Sequence, residues 1–542
     1  PSSRQEPVGQ PVPQLEPIDL PSYPGYPTAA PKPAPLYDRL SKDQSGSRVL
    51  AWVGGAVTLL GVVLLLILAV QRGWLGPVPR VLGGAALGGA LIAVGVRAHR
   101  SATGRTGAFA LAATGIATLY LDVVAATTLL DLMPPLAGLA LGFVVAMGGL
   151  LLATRWDSST LAVAVVVGCA VCAPMITKGF TQELVAFLVV VQVATTPLQL
   201  RRNWPVAGFV AGVAPLAASF FSTVERSGDP MVNALTALLA MAVGVALALV
   251  AAVRRDDDDL ALVLLVMAAG PALFSVSLLQ KSEAIAVSGA VAVVMVAVWA
   301  TSRFWPGRIG AAGGAVALVA IFQTTAIAFD GTARSMILMS EGVLLALLAL
   351  WLRSRVAMVG AVWFGAVGAV IAVGTDVPIG LLVDEPYALE QGELVTALFS
   401  SLLMVAVAVL TPWAATLLGR LKSPANGWFP WAVAGSAALY GAAGVVLSAA
   451  LLVSPDRSGF LLGHALVTVS WTVAALVLLL RGIQALPVRV TGLVLVGAAV
   501  LKLVLFDLSA LDGMARVAAF LGAGLILLAA GTRYAKLLAQ HG

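Results

Sequence analysis

From Val49 onward the chain is a string of apolar runs, each about 17–25 residues long, separated by short polar breaks. Every run is long enough to cross roughly 30 Å of hydrocarbon as a helix. Inside a bilayer each backbone N–H and C=O needs a partner within its own segment, so a string of such runs folds as helices or not at all. The predicted fold is therefore all-α: a polytopic transmembrane helical bundle of about 18 helices, built from consecutive hairpins. The first span lies at 49–70 and the last at 514–533, and the closely spaced runs around Met133, Gly179 and Lys281 are read as separate helices. Composition excludes the soluble alternatives, since 60% of the chain is apolar and 11% charged, against roughly 25% charged in an ordinary soluble domain.

Charge placement tests the span count independently, because short cytosolic loops collect Lys and Arg. With the N-terminus inside, the inner breaks hold Arg97, Arg100 and Arg105, then Arg155, Arg201 and Arg202, Arg254 and Arg255, Arg303 and Arg308, Arg353 and Arg355, Arg420 and Lys422, Arg481 and Arg489, and finally Arg533 and Lys536. The outer breaks hold far fewer, among them Arg72, Lys178, Arg226, Lys281 and Arg457, while Asp376, Asp384, Glu385, Glu390 and Glu393 surround one longer outer loop. An even number of helices with both termini cytosolic is expected, in a bacterial inner membrane. The net charge of +6 follows from this asymmetry. No basic stripe with interleaved aromatics points to nucleic acid.

Three regions are expected. Residues 1–48 form a Pro-rich cytosolic arm too poor in apolar clusters to order itself, residues 49–536 form the transmembrane domain, and residues 537–542 are a short tail. The arm is either a passive linker or a docking strip for a proline-reading protein partner. No cleavable signal peptide is expected, because the first apolar run begins at Val49 without a small-residue cleavage site. Inner basic breaks recur about every fifty residues, the length of one out-and-back hairpin. That period fits either duplication of a hairpin unit or a plain run of minimal hairpins.

Three stretches carry a family resemblance. WVGGAVTLLGVVLLLILAVQRGWLGPVPRVLGGAALGGALIAVG, from Trp52 to Gly95, pairs a turn RGWLGP with a glycine-rich second helix. LVLVGAAVLKLVLFDLSALDGMARVAAFLGAGLILLAAG, from Leu493 to Gly531, sets a lysine before FDLS and an arginine at the start of the last helix, and RWDSSTLAVAVVVGCAVCAPMI begins at Arg155. Together they resemble the domain of unknown function 2339 family of prokaryotic multipass membrane proteins. The resemblance implies a multipass membrane fold over nearly the whole apolar region and implies no activity.

An ionisable side chain within a span costs roughly 2.5–3.5 kcal/mol at mid-helix, so each one marks a functional candidate. Asp122 and Lys502 fall at nearly equal depth in the outer half of their spans, and a neutralising Asp122–Lys502 pair is the simplest arrangement. Asp507, five residues after Lys502, competes for the same lysine. Glu341 and His464 lie one to two turns in from the outer side. Arg80, Arg334 and Arg516 stand at outer helix starts, and Glu183 and Glu393 do likewise. Embedded charge is thus concentrated on the outer half, as in an outward-facing polar pocket whose arginines hold a phosphate or carboxylate. The same residues also suit structural roles: a register-fixing ion pair, arginines that snorkel to headgroups, and amides such as Gln192 and Gln323 that bridge helices.

Other patterns carry less chemistry. Cys169 and Cys172 have CxxC spacing in an apolar helix without a second pair, so zinc or redox work is not expected. Asp256 to Asp259 precede a helix, where acids cap free amides. Gly84 and Gly88 are packing positions rather than a phosphate loop. No nucleotide-binding or hydrolase motif occurs, and no cofactor is expected. Three functions fit: binding or transport of an amphipathic or anionic envelope component through the outer pocket, an extracytoplasmic acyl or glycosyl transferase with Glu341 or Asp122 as base and His464 as proton carrier, or a scaffold that recruits partners through the arm.

Overall fold

The computed structural model describes residues 76–100, 105–255, 258–305, 308–383, 390–422, 426–481 and 486–504, with isolated helical positions at 57, 61, 64, 68, 517 and 521–525. The arm expected at 1–48, most of the first and last spans, the 537–542 tail, Asp507 and Arg516 lie outside the described residues. Among the described residues eighteen α-helices follow one another: α1 Pro77–Ala98, α2 Arg105–Val124, α3 Pro135–Arg155, α4 Ser159–Ile176, α5 Gln182–Arg202, α6 Pro205–Val224, α7 Pro230–Arg254, α8 Asp259–Ala268, α9 Gly270–Ser275, α10 Lys281–Ala300, α11 Ile309–Ala328, α12 Gly331–Leu352, α13 Arg355–Thr375, α14 Ile379–Val383, α15 Gln391–Leu417, α16 Phe429–Val453, α17 Arg457–Arg481 and α18 Leu486–Lys502. Among the described residues there is no strand, and fifteen helical segments are long and apolar enough to cross a membrane. The separations expected near Met133, Gly179 and Lys281 are all present.

Local chemistry sets the helix ends. Ser158, Thr181 and Ser354 each accept a backbone N–H three residues on, Asp229 and Asp258 each accept two, and proline opens α3, α6 and α7. Gln280 with Glu283, and Glu390 with Glu393, close reciprocal capping boxes at the starts of α10 and α15. Asp256 and Asp257 lie outside the described residues, while Asp258 fills the capping role expected of that acidic run.

The span expected at 260–280 is present as one membrane-length helical segment, Asp259–Leu278, interrupted near Ala269 while the backbone stays in the helical region. α8 stops at Ala268, α9 resumes at Gly270, and a 3-10 turn covers Val276–Leu278. Pro271 lacks an N–H and its ring crowds the preceding turn, which breaks the ladder at that point. The loop between α13 and α15 holds a further short helix, α14, which apolar periodicity alone does not reveal.

Successive helices pair as antiparallel hairpins, and helices two apart then pack side by side, as α2, α4, α6 and α8 do. Loop contacts mark two faces. On one, Trp156 stacks on His99 at 4.2 Å, Arg202 pairs with Asp157 at 3.4 Å, and Arg308 pairs with Asp259 at 2.6 Å. This basic face gathers the loops rich in arginine. Burial and the nearby Arg105 hold the His99 imidazole below its ordinary range. On the opposite face Lys178 pairs with Asp131 at 3.6 Å, the Phe180 N–H donates to Glu225, and Lys281 pairs with Asp330. Lys281 and Arg334 pull the Asp330 carboxyl below the usual range. Asp456, also on that face, is held at about 2 by hydrogen bonds from Ser458, Gly459 and Ser454 at the start of α17.

The interior is built largely of alanine and glycine, so backbones approach closely. Where α12 crosses α13, a Cβ added at Gly342 would stand 2.8 Å from the backbone nitrogen of Gly365.

Candidate functional site

The densest polar arrangement within the bundle fans out from three consecutive residues of α11. Gln323 donates its amide to the Leu273 carbonyl of the short helix α9 at 2.9 Å. Thr324 donates to Ser288 on α10 at 3.0 Å, and Thr325 donates to Oε1 of Glu341 on α12 at 2.8 Å. Three neighbouring helical elements are thereby tied to one turn of α11, next to the interrupted α8–α9 span. The other oxygen of Glu341, Oε2, is buried and has no hydrogen-bond partner among the described residues.

α12 begins at Gly331, so Glu341 stands ten residues, about 15 Å at ~1.5 Å per residue, from the start of the helix.

A second centre caps α13. Asp376 is buried, its Oδ2 accepts from Ser335 on α12 and from Ser400 on α15, each at 2.5 Å, and its Oδ1 accepts from Thr375 at 2.6 Å. The next carbonyl, of Val377, accepts from Tyr440 on α16 at 2.5 Å. One turn of chain therefore anchors α12, α13, α15 and α16 together. Sequence analysis places Asp376 among loop acids, and the serines that could have revealed its burial are remote in sequence.

Asp122 is buried on α2 against Gly84 of α1, where a Cβ would strike its carboxylate. Its Oδ1 has no hydrogen-bond partner among the described residues. Arg80 lies one turn before Gly84 on α1, with its Nε buried and likewise unpartnered, and no ion pair joins it to Asp122. Replacing Gly84 with alanine is expected to lower stability by about 1–3 kcal/mol through overpacking. The double change with Asp122→Ala should recover most of that loss in thermal unfolding, whereas additive losses would show that the contact is not what excludes a side chain at position 84.

The expected Asp122–Lys502 pair is not formed. Lys502 donates to Thr468 at 2.8 Å and to the His464 carbonyl at 3.3 Å, both on α17, its own hairpin partner. Asp122 belongs to the α1–α4 neighbourhood, and matching depth alone does not bring helices at opposite ends of the chain together. The structure does unite two other predicted residues, Lys502 and His464. The His464 ring packs on Phe460 at 4.5 Å and lies against the Leu382 backbone of α14. Among the described residues no ring contact or hydrogen bond joins His464 to Glu341 or Asp122. Arg334 donates to the Phe329 carbonyl and to Asp330.

The basic half also contains polar chemistry that sequence analysis does not anticipate. Arg255 pairs with Asp258 at 3.1 Å and donates to the Gln199 carbonyl at 2.8 Å, with both charged side chains nearly buried. They border a small cavity beneath Gln192, whose Oε1 is buried without a partner. Their adjacency to the loop made them read as plain surface charges and caps.

Hairpins of apolar helices, closed internally by hydroxyls and a few carboxylates, define a polytopic α-helical membrane protein. A family model described as a predicted membrane protein, DUF2339, matches residues 46–376 and 331–537, and the chain belongs to that family. No curated protein and no solved structure matches it.

Proposed function

We propose that the protein binds an amphipathic or anionic envelope component and moves it, or helps to move it, through the membrane, with proton exchange at Glu341 as the coupled step. The observation that carries this reading is a carboxylate about halfway along α12 that is bonded through one oxygen only, beside a proline-kinked helix. A proline kink at membrane depth is tolerated where neighbouring helices satisfy the freed backbone groups. The α11 fan supplies the rest: Gln323 satisfies a carbonyl of the short helix, and Thr325 holds Glu341 in place. The basic face is read as cytosolic, which sets the Asp376 and Asp122 ends toward the outside of a bacterial inner membrane.

The test is reconstitution of the full chain into vesicles loaded with a pH-reporting dye, with pooled anionic and amphipathic envelope compounds added outside. The wild-type protein should give compound-dependent proton movement, and Glu341→Gln should lose it while keeping its elution volume and helicity. Equal flux from Glu341→Gln would overturn the reading. So would flux that survives Thr325→Val and Gln323→Leu together.

A further inference from the structure

Two clefts on the membrane-facing surface share one construction. The first, of about 440 Å³, lies between α11 and α13; Leu318, Phe322, Val359 and Trp363 line it, and Arg355 stands at its mouth. The second, of about 470 Å³, runs between α1, α2 and α3, with Val144 at its deep end and Arg155 at its mouth. Both arginines belong to the basic face. Each is exposed, and neither makes a hydrogen bond or ion pair among the described residues. No acidic side chain lines either cleft among the described residues.

The depth is informative. From Arg355 to Phe364 the first cleft follows nine residues of helix, about 13 Å at ~1.5 Å per residue, which is close to half of a ~30 Å hydrocarbon core. A cleft that starts at a helix end and stops near the midplane has the reach of one leaflet's acyl chain. Its only charge is a cation, set where the headgroup of such a chain would lie. A third membrane-facing cleft, between α2 and α4, is larger at about 790 Å³ but has no arginine, and its lining is apolar apart from Ser159, Thr160, Tyr120 and Cys172. Of these three recesses among the described residues, two pair an apolar lining with an unopposed arginine.

We infer that these two clefts are binding sites for anionic phospholipid from the leaflet at the basic face, the acyl chain lying in the cleft and the phosphate held by Arg355 or Arg155. A guanidinium suits that task because it offers several donors in one plane to phosphate oxygens. Trp363, itself exposed beside the cleft, gives the chain a flat wall.

The full chain, purified in mild detergent and equilibrated with phosphatidylglycerol or phosphatidylcholine, should retain phosphatidylglycerol preferentially by native mass spectrometry. The double variant Arg155→Gln/Arg355→Gln should bring phosphatidylglycerol retention down by about fivefold per site, the effect of one basic residue near an anionic surface, and leave phosphatidylcholine unchanged. Arg155→Lys/Arg355→Lys should keep most of the preference. Val359→Trp, a change at an exposed position within the first cleft, should reduce retention of both lipids, and Arg353→Gln, outside both clefts, should change neither. Equal retention of the two lipids by the wild-type protein, or full retention by the double Gln variant, would overturn the inference.

Discussion

Replacing Gly342 with leucine should lower stability by about 3 kcal/mol or more, because overpacking at a backbone contact leaves no side chain free to rotate away. A Cβ there would meet the nitrogen and Cα of Gly365 at 2.8 and 2.9 Å and the Ala361 carbonyl at 3.2 Å. The helices must separate to admit it, and the separation also opens the neighbouring contact of Gly368 with Met339 and Ser335. Thermal unfolding in detergent, followed by helicity, measures the loss. Gly435 on α16 faces open space, so Gly435→Leu serves as the matched control and should be nearly neutral. Similar losses from both would mean that glycine content, rather than this crossing, supports the fold.

Asp376→Leu should be comparably severe. It strands the Ser400 hydroxyl in a buried site and leaves Ser335 only the Thr332 carbonyl, and hydrogen bonds to a charged group are each worth about 1.5–3 kcal/mol. Asp376→Asn keeps an acceptor oxygen and should cost clearly less, near 1 kcal/mol. The same unfolding measurement separates the two variants. Hydrogen exchange should show faster opening at the end of α13 in Asp376→Leu, where Tyr440 also anchors the chain through Val377. If Leu and Asn behave alike, the carboxylate is not what holds the four helices.

Both predictions rest on contacts that a linear reading sees only in part. Helix positions were legible because apolar run length and loop charge are local properties: α5, for instance, starts at Gln182 and ends at the Arg201–Arg202 pair. The separate helices around Gly179 and Lys281 followed from the same signals. The kink near Gly270–Pro271 has its signal in the proline, within a span whose length and position agree with the apolar run. Which buried charges meet was not legible. Asp122 and Lys502 share a depth, yet depth is one coordinate, and the hairpin order assigns them to different neighbourhoods. Lys502 instead finds the Thr468 hydroxyl and a main-chain carbonyl, partners that no charge pattern singles out. Asp376 was hidden for the converse reason: its position beside a loop suggested solvent, while serines 41 and 24 residues away enclose it.

The polar groups that do gather are arranged by neighbouring hairpins rather than around one central chamber. Glu341 belongs with α11, Asp376 with α12, α15 and α16, Asp122 with α1, and Lys502 with α17. Glu341, whose Oε2 is buried without a hydrogen-bond partner among the described residues, is the informative position to alter first.

Sequential pairing has a consequence for biogenesis. Because many helices find their chief companion in the one synthesised immediately before or after, a hairpin leaving the insertion machinery already holds part of the packing it needs. Evolution could lengthen or shorten such a chain by whole out-and-back units without rewriting the remainder.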